Sequence, residues 1–204
     1  MRLKTIATSL VMLALAFSLT ACAKPPQVDI DAAKAALDKA VAADASKWAP
    51  EAWSAAQQAM SAAEAEIKVQ ADKFALFRSY KKATELYKDA LTKADEAQKA
   101  AVAGEEKART EAEAALTAAN DAVTAASTVI GSLDGCKKRP KGFAADVETF
   151  KGSLATMTTQ LDAIRAAMGT KDYMGAKAQA EVLKQQADTA AADVTSAKEK
   201  IGCK

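Results

Sequence analysis

Three cysteines, Cys22, Cys136 and Cys203, carry the most distinctive chemistry in this chain of 204 residues. A thiol can take a lipid, bind a metal or form a disulfide, and the surrounding sequence favours one outcome over the others. The chain has no histidine, which is the commonest general base and a frequent partner of cysteine at zinc. We therefore expect no metal site, no cofactor and no catalytic residue.

Cys22 follows a stretch that is typical of an export signal. Arg2 and Lys4 give this stretch a charged start, an apolar run covers residues 6–19, and small residues precede the cysteine. Because the run is too short to span a bilayer, it predicts a signal peptide over residues 1–21 rather than a membrane helix.

The sequence LTAC at positions 19–22 resembles the lipobox of bacterial lipoproteins. The resemblance implies that Cys22 carries acyl chains such as palmitate and becomes the mature N-terminus, followed by a linker over residues 22–28. Ala23 stands where an aspartate retains well-studied Gram-negative lipoproteins at the inner membrane. The resemblance thus implies lipid anchoring at the outer membrane, facing the periplasm. An ordinary signal peptide followed by a chance cysteine is the alternative.

Cys136 and Cys203 are then left to pair with each other. Exported compartments are oxidising, so a disulfide is the default for such a pair. Two cysteines without any histidine fall short of the usual zinc ligand set. The segments between the two cysteines must therefore bring their thiols together.

The longest of these segments is a helix predicted over residues 80–133. Apolar or alanine positions recur every three or four residues in both halves, which is the pattern of one helix face. They are Tyr80, Ala83, Tyr87, Ala90, Ala94, Ala97 and Ala101, then Leu116, Ala119, Val123, Ala126, Ile130 and Leu133. The register slips by one residue over about five heptads, as it does along a straight helix. A break at Gly104, with Glu105 and Glu106 in the first turn of a new helix, is the alternative.

Two shorter helices are predicted before the long one. The first begins near Asp29, and its apolar face is formed by Ile30, Ala33, Leu37, Ala40 and Val41. The second begins at Pro50, because proline is favoured at the first helical position. Trp48 and Trp53 occupy the two positions of a hydrophobic staple around this start, and a ligand-binding aromatic pair is the alternative. We expect a turn over residues 72–77.

A helical hairpin is predicted after the long helix. Its apolar stripes cover residues 143–168 and 173–201, with Gly169 as the helix stop and Thr170 as the cap of the last helix. The two reversals of direction return Cys203 to the end of the bundle that holds Cys136. Topology and compartment therefore both predict a disulfide between these residues.

These elements predict an all-α fold, an elongated antiparallel bundle of coiled-coil-like hairpins built on the long central helix. The expected halves are residues 29–103 and 104–204. The sequences WAPE at 48–51 and YKKA at 80–83 resemble an uncharacterised family of alanine-rich helical hairpins found in bacterial envelope lipoproteins, over roughly residues 28–103. That family has no assigned activity. Some of its members carry an OmpA-like peptidoglycan-binding domain, which is not visible in this sequence.

A basic loop, defined as Lys137, Lys138, Arg139 and Lys141, follows Cys136. Cations suit the negative C-terminal end of the long helix, which is the structural interpretation. A contact with an anionic partner is the functional one.

Charge and composition restrict the remaining classes of function. The chain has 28 basic and 26 acidic residues, and the two extra bases, Arg2 and Lys4, lie in the leader. A balanced mature chain offers no overall field that would favour nucleic acid. We therefore expect a structural, spacer or partner-binding lipoprotein rather than an enzyme, with an envelope protein or anionic cell-wall component as partner. An envelope ligand-binding or sensor module is the alternative.

Overall fold

The computed structural model describes residues 23–203, which form two compact units, residues 23–104 and 105–203. Within this range the chain is helical and has no strand, which confirms the predicted all-α class. The helices are α1 (Gln27–Ala42), α2 (Ala45–Trp48), α3 (Pro50–Ala71), α4 (Lys81–Gly131), α5 (Phe143–Gly169) and α6 (Tyr173–Ile201). The predicted signal peptide, the lipidation site Cys22 and Lys204 lie outside the described residues. None of the described helices is both long and apolar enough to cross a bilayer.

Helix α4 has 51 residues and agrees with the prediction to within two residues at each end. A 3₁₀ turn over Ser132–Gly135 continues it. The helix runs through Gly104 rather than ending there. In each unit the predicted stripe of α4 is buried, apart from Leu116, which is half-buried.

The N-terminal unit packs α1 and α3 against the first part of α4. Its central cluster consists of Ile30, Ala33, Met60, Ala63, Tyr87 and Ala90. The predicted face of α1 is wrong at Val41, which is 57% exposed, whereas Ala36 is buried. Ala33, Ala36 and Ala40 keep the spacing of three and four, and Val41 lies about 100° further round the helix than Ala40. Helix α1 also begins two residues before Asp29, so the linker is shorter than predicted.

Glycine is required at position 104 because the backbone of Trp48 lies very close to it. The Trp48 carbonyl at the end of α2 lies against it, and a Cβ atom at position 104 would overlap that oxygen. The short helix α2 was not predicted, and it begins after Asp44, which has a φ of 51°. Gly104 is therefore a packing residue inside a continuous helix, and the alternative interpretation as a helix break is wrong.

The C-terminal unit contains the largest fully buried side chains among the described residues, namely Ile130, Ile164, Leu183 and Val194. They come from the second part of α4 and from both members of the α5–α6 hairpin. The hairpin corner differs from the prediction. Thr170 donates its hydroxyl to Ala167 O and ends α5, while Asp172 caps α6 by accepting from Gly175 N at 3.2 Å.

The difference at this corner follows from the backbone at Lys171. Helix α5 ends at Gly169, as predicted, and Lys171, with a φ of 60°, then turns the chain. The reversal at Lys171 leaves Asp172 in the N-cap position, where its carboxylate can meet a free amide of the first turn.

Candidate functional site

The disulfide end of the C-terminal unit contains most of the predicted site residues. Cys136 follows the 3₁₀ turn after α4, and Cys203 follows Gly202, whose φ of 67° ends α6. The two cysteines form a disulfide with a Cα–Cα distance of 5.3 Å. The pairing agrees with the prediction, because both reversals of the hairpin are present. Cys136 packs in a cluster with Ile130, Leu133, Val147 and Val194.

The basic loop beside the disulfide is exposed, but its members differ in what they contact. Arg139 donates from Nη2 to Asp134 O at 2.8 Å and from Nε to Cys136 O at 3.2 Å. Its guanidinium carbon also lies 5.9 Å from the centre of the Phe143 ring. Arg139 therefore satisfies carbonyl groups just beyond the end of α4, in line with the structural interpretation. The possible role of Lys137, Lys138 and Lys141 in binding an anionic partner stays a prediction.

Further contacts fix the same end. Lys151 pairs with Asp134 at 3.3 Å, and Lys198 donates to Ser132 Oγ at 2.8 Å. Behind the loop is an apolar cavity of about 200 Å³. Its lining includes Leu133, Pro140, Phe143, Val147, Phe150 and Ile201. The cavity is small for a ligand site, since such sites usually measure about 300–1,000 Å³.

A larger groove of about 320 Å³ lies between α5 and α6. Its lining includes the apolar residues Ile164, Val182 and Leu183 and the polar residues Gln179 and Gln186. Gln160 Oε1, which also lines the groove, is buried without a hydrogen-bond partner. Sequence reasoning missed this groove. The available signal was Val182, an apolar residue outside the predicted stripe of α6.

Two ion pairs hold the start of α6 against α4. Lys177 Nζ lies 2.8 Å from Glu111, and Lys171 Nζ lies 2.8 Å from Glu105. The hydrogen bond between Lys177 and Glu111 lowers the pKa of the carboxyl and raises the pKa of the ammonium group. Both charges are thus stabilised at neutral pH, which suits a structural contact.

A buried carboxylate in the N-terminal unit is also paired. Glu66 is 8% exposed, lies 2.8 Å from Lys82 Nζ and accepts from Gln70 Nε2 at 2.7 Å. The hydrogen bonds from Lys82 and then Gln70 lower the pKa of Glu66. A general base works best with a pKa near the working pH, so this shift is in the wrong direction for that role.

Across residues 23–203 the cysteine, aspartate and glutamate side chains form no group of three or more that could hold a metal ion.

Comparisons with family models, with curated proteins and with solved structures found no match to this chain.

Proposed function

We propose that this protein is a lipid-anchored lipoprotein of the bacterial outer membrane, facing the periplasm, with a structural, spacer or partner-binding role in the envelope. The observation that carries the structural role is the alanine seam of α4. Alanines with no exposed surface line this helix in both units: Ala83, Ala90, Ala94, Ala97, Ala101, Ala112, Ala119 and Ala126.

Small side chains at a helix interface allow close approach of the backbones and leave little internal space. A ligand-binding bundle usually needs a cavity at these positions. Within each unit, the seam therefore supports a structural role over a ligand-binding one. The residues of α5 and α6 add branched side chains to the core, and the disulfide closes the end of their hairpin.

The proposed anchor would hold the N-terminal unit close to the membrane. Helix α1 begins at Gln27, so only residues 23–26 separate Cys22 from the first helix. Each buried methylene of an acyl chain contributes about 0.8 kcal/mol, and stable anchoring requires more than one chain. A triacylated Cys22 meets that requirement.

Metabolic labelling with a fatty acid tests the anchor. The parent protein should carry the label and fractionate with the outer membrane, whereas Cys22→Ser should lose the label and the membrane association. A chain with Cys136→Ser and Cys203→Ser serves as the matched control and should remain labelled. Unlabelled parent protein would contradict the proposal.

Crosslinking in the native envelope tests the partner-binding role. Photoreactive residues at the exposed positions Val41, Val102 and Val182 sample both units without disturbing the core. A specific envelope protein or cell-wall fragment captured from one position would support this role. Equal, non-specific capture from all three positions would argue against it.

We also propose that the protein is not an enzyme. The shifted carboxyl groups of Glu66, Glu106 and Glu111 all have a lowered pKa, since each accepts a hydrogen bond from a basic residue. Such groups are weak bases at neutral pH.

The groove between α5 and α6 favours the alternative function, an envelope ligand-binding module. Its volume reaches the lower range for small-molecule sites, and Gln160 Oε1 could accept a hydrogen bond from a ligand. Native mass spectrometry of protein purified from its own envelope tests this function. A small molecule that is retained by the parent and lost on Ala178→Trp, which fills the groove, would replace the structural proposal.

A further inference from the structure

The loop between α3 and α4 exposes three large apolar side chains. Phe74, Leu76 and Phe77 are 68%, 68% and 76% exposed. The two phenylalanine rings lie 6.3 Å apart. Every other aromatic side chain in residues 23–203 is buried or half-buried. We call residues 72–79 the aromatic loop, and its exposed apolar surface requires an explanation.

Hydrogen bonds to the backbone hold the loop in one conformation. Arg78 donates from Nε to Lys73 O at 2.9 Å and from Nη2 to Ala71 O at 2.8 Å. These bonds satisfy carbonyl groups at the end of α3. A 3₁₀ turn over Ala75–Phe77 then directs the side chains outward.

Buried polar side chains fix the second end of the loop. Gln70 is 5% exposed, and its Oε1 accepts from Ser79 N at 3.0 Å. The same amide donates to Glu66, which pairs with Lys82 in the first turn of α4. The exposed phenylalanines are therefore presented by a braced loop.

The aromatic loop lies at the end of the N-terminal unit from which the proposed anchor extends. Ile30 in the first turn of α1 packs in one cluster with Ala63 of α3, and α1 and α3 run in opposite directions. From Ala63 to the end of α3 at Ala71 is about 12 Å, at 1.5 Å per residue. The four residues 23–26 can extend by up to about 14 Å. A lipid on Cys22 can thus reach the level of the loop.

The charges around the loop match an anionic surface. Lys73 and Lys81 are exposed and Arg78 is half-buried, whereas Lys82 is paired with Glu66, and Asp72 is the one acidic residue between positions 72 and 82. Aromatic residues at a membrane interface combined with neighbouring lysines are typical of proteins that bind anionic phospholipids.

We infer that the aromatic loop is a second membrane contact, which inserts Phe74, Leu76 and Phe77 among the headgroups of an anionic bilayer beside the lipid anchor. The inference rests on the proposed function for the position of that anchor. A flexible lipid tether alone leaves the N-terminal unit free to swivel. A second contact would fix the orientation of this unit to the bilayer.

Vesicle binding by the mature chain from Ala23, prepared without lipid, tests the loop separately from the anchor. We expect sedimentation with vesicles of phosphatidylcholine mixed with an equal part of phosphatidylglycerol, and weaker binding to phosphatidylcholine alone. Replacement of all three apolar residues, Phe74→Ser, Leu76→Ser and Phe77→Ser, should lower the partition coefficient at least about tenfold. The reason is that the variant has no large apolar side chains at these positions to transfer from water into the bilayer. The matched control, Val41→Ser with Val102→Ser, removes exposed apolar side chains elsewhere in the unit and should bind like the parent.

The lipidated protein provides a second measurement at high local concentration. In the mixed vesicles, Phe77→Trp should show fluorescence that is quenched by brominated phospholipid, measured against the parent with its own Trp48 and Trp53. Equal sedimentation of the triple variant and the parent, or absence of both binding and quenching, would overturn the inference. Capture of an envelope protein by the loop in place of vesicles would also overturn it. None of these outcomes affects the labelling of Cys22, so the proposed function is judged independently.

Discussion

The two units fasten the ends of their helices by different means. In the C-terminal unit the end beyond α4 and α6 is closed by a disulfide and by Arg139 on nearby carbonyls. In the N-terminal unit the corner between α3 and α4 depends on the buried pair Glu66 and Gln70 with Arg78. The core side chains differ as well, since the largest fully buried ones all belong to the C-terminal unit. A covalent bond thus holds the helix ends together in one unit, and a polar network holds the corner of the other. We expect the covalent bond to be sensitive to reduction and the polar network to be sensitive to acid.

The largest expected effect is from removal of the disulfide. In the chain-entropy model, a bridge between residues 67 apart contributes about 4 kcal/mol, less any strain. Cys136→Ser with Cys203→Ser should therefore destabilise the C-terminal unit by up to that amount. Both tryptophans of the chain lie in the N-terminal unit, so urea unfolding followed by tryptophan fluorescence reports on that unit. Hydrogen exchange should show faster opening of α5 and α6, and equal protection before and after the change would contradict the prediction.

Gly104→Ala should have the next largest effect, and it should act on the N-terminal unit. The new Cβ overlaps the Trp48 carbonyl oxygen, and overpacking typically costs about 1–3 kcal/mol. The gain in helix propensity of about 1 kcal/mol offsets only part of this cost. Gly152→Ala in α5 is the matched control, because its Cβ would meet no neighbour, and it should stabilise the C-terminal unit. Thermal unfolding of both variants measures the change in stability. The prediction fails if both variants are stabilised or both are destabilised.

Arg139→Gln should destabilise the C-terminal unit by about 1 kcal/mol, because two carbonyl groups lose a charged donor. Lys141→Gln at the other end of the basic loop should change stability by less than about 0.5 kcal/mol. Chemical denaturation measures both values. If the loop also contacts an anionic partner, replacing its four cations with glutamine should abolish a salt-sensitive envelope interaction. An unaffected interaction would leave only the helix-end role.

The smallest expected effect concerns acid. The folded-state pKa of Glu66 is lowered, so its contribution to stability is present above the ordinary glutamate pKa and is lost as the pH falls through the folded value. Glu66→Gln should therefore flatten the acid limb of the stability curve of the N-terminal unit, as read by tryptophan fluorescence. Glu111→Gln should do the same for the C-terminal unit, where Lys177 lowers the pKa. An unchanged acid limb in both variants would show that other carboxyl groups control acid unfolding.

Much of the fold and part of the candidate site could be predicted from the sequence. The stripes of three and four residues predict α3, α4, α5 and α6 closely, since a helix period is a local property. The disulfide follows because two helix reversals return Cys203 to the end that holds Cys136. The signal peptide and the lipobox stay predictions, since the described residues begin at Ala23. The family resemblance stays a prediction because no family model matches the chain.

Only the tertiary structure decided the features that depend on distant neighbours. The residue that Gly104 meets is Trp48 of α2, so its role as a packing glycine cannot be read from the helix around it. The groove at Gln160 requires the relative placement of α5 and α6. Likewise, the exposure of Phe74 and Phe77 depends on the conformation of the aromatic loop. Arg78 holds this loop from within, and Gln70 holds it from outside. Periodicity specifies which face of a helix is apolar, but contacts between elements decide which apolar residues stay exposed.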